Sequence, residues 1–153
     1  MSNPLGNGIN LHHLVWCPDD FSDGQLKSSA FRKQDLKGNE SYISVSRTDI
    51  IRPDVERQTA NRQAEKANGE TIKREDAYSI QWNCGRVRNR KDDADCIMFT
   101  ITEEATEENP AHCGIRNISG ITRDSYINQP RVALVEMSTQ PIPLEDFLEN
   151  PKC

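Results

Sequence analysis

Period-two alternation of apolar and polar residues is the feature that most limits what this chain can become. In residues 42–47 (YISVSR), Tyr42, Ser44 and Ser46 fall on one side, and Ile43, Val45 and Arg47 on the other. That is the pattern of a strand whose two faces meet different surroundings. Residues 77–82 (AYSIQW) repeat it, with Tyr78, Ile80 and Trp82 on one face. Residues 96–102 (CIMFTIT) do so again, which predicts Ile97, Phe99 and Ile101 pointing into the core. Residues 9–16 (INLHHLVW) are rich in β-favouring types and end at Pro18-Asp19-Asp20, which predicts a first strand. Residues 85–90 and 96–102 flank the polar stretch 91–95, the form of a hairpin.

Helix signals are fewer. Residues 53–67 (PDVERQTANRQAEKA) begin with proline and acidic residues, and Asn68-Gly69 supplies a stop. The apolar stripe Val55, Ala60, Ala64 and Ala67 is thin, so this helix should lie on the surface with one narrow seam buried. Residues 143–149 predict a short C-terminal helix with Leu144, Phe147 and Leu148 on one side. Residues 131–137 (RVALVEM) fit strand or helix equally. The expectation is a single α+β domain over 9–150, built on a mainly antiparallel sheet. A flexible leader (1–8) precedes it and a tail (151–153) follows.

Composition narrows the function classes. Leu, Ile, Val and Phe make up 31 of 153 residues, near the lower edge for a folded domain, and the net charge is −5. A negative chain is a poor match for long nucleic acid or anionic lipid, and no apolar run is long enough for a membrane-spanning helix. The start MSNPLGNG has neither a basic nor an apolar stretch, so it does not read as an export signal. Five cysteines without a CxxC fit reduced thiols in the cytoplasm.

Each chemical constellation has a bland counterpart. Cys84, Cys96, His112 and Cys113 lack the close ligand pairs of a zinc knuckle, and neighbours on a strand point oppositely, so no metal is expected. No thiol-enzyme signature surrounds any cysteine, and neither GxxxxGK[ST] nor GxGxxG occurs. On a strand, Arg86, Arg88 and Arg90 would share a face and could bind a small anion, although Asp92, Asp93 and Asp95 follow at once. His112, between Asn109-Pro110 and Gly114, sits where a turn could bring it to a pocket.

The order His12/His13 on a first strand, Ser44 and Ser46 on a second, and Glu136 in a late strand resembles the polar order of ADP-ribosyltransferase-type folds. The resemblance implies NAD as cofactor. A histidine would hold the ribose, a serine would position the NAD, and the carboxylate would stabilise charge at the ribose carbon. Leu134 departs from that pattern, standing where many such enzymes carry a second acidic or amide residue. The expectation placed first is a non-enzymatic accessory or regulatory protein that binds another macromolecule, with its histidines and thiols scattered through the body. An NAD-using transferase and a small-anion-binding module are the alternatives.

Overall fold

Six strands form one antiparallel sheet in the order β6-β7-β4-β1-β5-β8. They are β1 (Asn10–Trp16), β4 (Ile43–Arg47), β5 (Ala77–Asn83), β6 (Phe99–Glu103), β7 (His112–Asn117) and β8 (Ile142–Pro143). The two-residue strands β2 (Phe21–Ser22) and β3 (Gln25–Leu26) make a separate hairpin. The helices are α1 (Pro53–Lys66), α2 (Cys84–Asn89), α3 (Asn128–Met137) and α4 (Leu144–Glu149). The computed structural model describes residues 5–38, 40–66, 76–123 and 125–150. Residues 1–4 of the expected leader, Ala67 with the stop Asn68-Gly69, and the tail 151–153 lie outside them.

Alternation in the strands produces two apolar layers. Leu11, Val15, Ile43, Val45, Ile80, Trp82, Cys113 and Ile115 face one way and pack with Val87 of α2 and Ala133, Leu134 and Met137 of α3. Trp16 and Ala77 face the other way, against Ala60 of α1 and Leu144, Phe147 and Leu148 of α4. Each large apolar side chain removed from water contributes about 1.5–3 kcal/mol before ordering costs. The first layer therefore carries most of the stability. The molecule is one α+β domain with a mainly antiparallel sheet, as the alternation predicts.

Several elements differ from the sequence reading. Residues 85–90 belong to no strand: Asn83 accepts from the Arg86 backbone N–H at 3.1 Å and starts α2 there. Residues 131–137 are helical, because Pro130 is tolerated in the first turn of α3 and Ala133, Leu134 and Met137 recur at helical spacing on the core. Phe99 is buried and Ile101 partly so, but Ile97 is 47 % exposed beside the turn that follows α2. The leader is not free over residues 5–8. Leu5 joins the core, the Leu5 carbonyl accepts from Arg88 at 2.7 Å, and the Asn7 carbonyl accepts from the Gly85 N–H. Among the described residues, no helix is long and apolar enough to cross a membrane.

Candidate functional site

Pairing register sets the site. His12 on β1 lies opposite Ser46 on β4, and Ser46 lies opposite His112 on β7. One row across three strands therefore projects two imidazoles and a hydroxyl from the face that α1 covers. The apolar layer opposite takes the odd-numbered neighbours: His13 packs near Phe31 and Trp82, with ring centroids 5.8 and 5.7 Å away.

Glu56 comes down on this row from the first turn of α1. It shares a helical face with Ala60 and Gln63, the positions that seat α1 on β1; Trp16 Nε1 donates to Gln63 Oε1 at 2.8 Å. The Ser46 hydroxyl donates to Glu56 Oε1 at 2.6 Å, and Glu56 Oε2 lies 3.5 Å from His12 Nε2. On its other side His12 Nδ1 meets Ser79 Oγ at 2.6 Å, and Phe147 stacks on the ring at 4.6 Å. Ser79, His12, Glu56 and Ser46 thus form one continuous polar chain, and none of the four is more than 7 % exposed. Burial works to raise the Glu56 pKa, but His12, the Ser46 hydroxyl and His112 together hold it below the ordinary value. Glu56 is ionised at neutral pH.

A cavity of about 290 Å³ opens beside this chain, lined also by Ser44, Thr59, Arg62, Asn109 and His112. Asn109 is placed by its own turn: its carbonyl accepts from the Thr106 and His112 N–H groups, and its N–H donates to Thr106 Oγ1. Among the described residues, two buried side-chain polar atoms lack a hydrogen-bond partner, His12 Nε2 and Asn109 Oδ1. Both residues line this cavity. The contact from His12 Nε2 to Glu56 is too long to satisfy it.

The expectation of scattered histidines fails here. His12, Ser44, Ser46 and His112 converge around a carboxylate, and only His13 turns its ring into the opposite layer. There His13 Nδ1 donates to the Ser44 carbonyl at 2.7 Å, and burial lowers its pKa to about 4, so it is neutral at pH 7. Glu136 is elsewhere. It lies on α3, against the other face of the sheet, paired with Arg90 at 3.0 Å. The arginine trio does not share a face either. Arg88 is held by Asn7 and the Leu5 carbonyl, Arg86 reaches the carbonyls of Glu136 and Met137, and Arg90 pairs with Glu136.

Two thiols and one cation among the described residues are buried in the body. Burial pushes Cys84 and Cys113 up to about 11, which keeps both as unreactive thiols. Cys96 is exposed in a turn, and no cluster of three or more His, Cys, Asp or Glu side chains able to hold a metal occurs among the described residues. Arg47, 1 % exposed, is paired with Asp49 and Glu103.

Glu56, Thr59, Arg62 and Asn109 are the site residues that sequence reasoning missed. For Glu56 a signal existed: it stands four residues before Ala60, in phase with the alanine seam. Its charge reads equally well as an N-terminal dipole partner, which conceals the inward direction. Compared with protein-family models, with curated proteins and with solved structures, the chain finds no match.

Proposed function

We propose that this protein works by binding, and that its recognition site is the cavity between α1 and the His12–Ser46–His112 row. The ligand is a small polar molecule, or a polar head group carried by a partner macromolecule. One observation carries the reading: the two unpartnered buried polar atoms, His12 Nε2 and Asn109 Oδ1, belong to residues of the same cavity. Leaving a buried polar atom unpaired costs about 1–3 kcal/mol, so two in one place mark where an added donor or acceptor gains most. The volume of about 290 Å³ is at the small end for ligand pockets, which suits a head group better than an extended ligand.

A transferase using NAD is a second reading, favoured by the convergence of His12, Ser44 and Ser46 on one cavity. Its carboxylate would have to be Glu56, since Glu136 faces away. Binding at Arg86, Arg88 and Arg90 has little support, since their guanidinium groups are spent on the protein's own acceptors.

The test is a titration of isotope-labelled protein with a panel of amides, amino acids, sugars, phosphates and NAD, following the ring signals of His12 and His112. Binding should move both signals and weaken in Asn109→Leu. Shifts confined to residues outside the cavity, or none at all, would remove the proposal. Nicotinamide release from NAD that is lost in Glu56→Gln would favour the transferase.

A further inference from the structure

Resting on that binding reading, we propose that the ligand is a phosphorylated polyol, its hydroxyls at the cavity floor and its phosphate at the rim. The floor and the rim have different chemistry. On the floor, Glu56 accepts from the Ser46 hydroxyl through one oxygen, and its other oxygen lies 3.5 Å from His12 Nε2. A ligand carboxylate there would be repelled by the ionised Glu56. What the floor lacks is a partner for His12 Nε2 and for the Asn109 amide.

A hydroxyl can serve both, because it donates and accepts through one atom. It donates to Asn109 Oδ1, or accepts if the amide is turned, and it pairs with His12 Nε2 in either tautomer. An ammonium can only donate and a carboxylate can only accept. At the rim, Arg62 is exposed one turn along α1 from Thr59, to whose hydroxyl it donates at 3.3 Å; His112 and Ser44 stand across from them on the sheet. A guanidinium, an imidazole and two hydroxyls around one opening suit a phosphate. Two adjacent hydroxyls with a phosphate beyond them join the two sets. Such a group occurs in free sugar phosphates and in the ribose phosphate of nucleotides.

Calorimetric titration of the full chain with inorganic phosphate, ribose, ribose 5-phosphate and adenosine monophosphate tests this. Ribose 5-phosphate should bind at least about ten-fold more tightly than either phosphate or ribose alone. Arg62→Ala should reduce its affinity to near that of ribose, Asn109→Leu should reduce it to near that of phosphate, and Lys91→Ala, outside the cavity, should leave it unchanged. Tighter binding of the nucleotide than of the sugar phosphate would assign the ligand to nucleotides, and the reverse order to sugar phosphates. If ribose 5-phosphate binds no better than its parts, or ignores Arg62→Ala, the assignment is wrong. In that case an amide or amino acid that still shifts His12 and His112 would preserve the binding reading, whereas no cavity ligand of any class would end both.

Discussion

His13 and Glu56 have pH behaviours that follow from where each side chain lies. The imidazole of His13, neutral in the folded protein with a pKa near 4, returns to about 6.5 on unfolding. Between these values the unfolded chain binds more protons, so stability should fall as pH drops from about 6.5 to about 4, by up to about 1.4 kcal/mol per pH unit. Denaturant midpoints measured across that window should show the decline, and His13→Gln should flatten it. Glu56 acts in the same direction at lower pH: its folded pKa lies below the ordinary 4.5, so its stabilisation is lost as pH falls through that depressed value. Glu56→Ala should cost about 1–3 kcal/mol at pH 7, because the Ser46 hydroxyl loses its acceptor in a buried place. Glu56→Gln, which keeps an acceptor for Ser46, should cost less, and thermal unfolding of the pair separates the two. Such residue-level facts were only half legible in advance. That His12 and His13 diverge follows from strand geometry, but which of them meets polar neighbours depends on what covers each face.

Strands were easier to read than helices because a period of two shows within six residues, as 42–47 and 77–82 demonstrate. Residues 85–90 misled because alternating Arg86, Arg88 and Arg90 imitate a strand, while one capping contact from Asn83 makes a helix. The thin stripe of α1 was legible, and it has a consequence at this scale. Ala60, fully buried on the sheet, lets α1 approach closely enough for Glu56 to reach Ser46. Ala60→Leu should overpack the seam, cost about 1–3 kcal/mol and lengthen the Glu56–Ser46 contact, which would show as a shift of the His12 ring signal. On β7, Gly114 allows Tyr42 to lie flat across the strand beside His112. A Cβ there would come within 2.6 Å of the Tyr42 ring and 2.9 Å of its Cβ, close to the backbone where the side chain cannot swing clear. Gly114→Ala should therefore displace Tyr42 from His112, now 5.8 Å away between ring centres, and lower the melting temperature.

At the scale of the whole molecule, the N-terminal segment is part of the body over the residues described. Leu5 lies in the larger apolar layer, and Arg88 and Gly85 bind its backbone and that of Asn7. Removing residues 1–8 should cost about 2 kcal/mol or more from the lost burial of Leu5 alone, visible as a lower urea midpoint. A free leader would leave the midpoint unchanged. The chain by itself determined the class of fold, the alternation of the main strands and the seams of α1 and α4, because these depend on period and turn chemistry within a few residues. Only the tertiary structure decided the site. Glu56 comes from one stretch and Asn109 with His112 from another, and their meeting with His12 depends on strand order, on the Ser46-centred register and on the height at which an alanine seam seats one helix, none of which leaves a local trace.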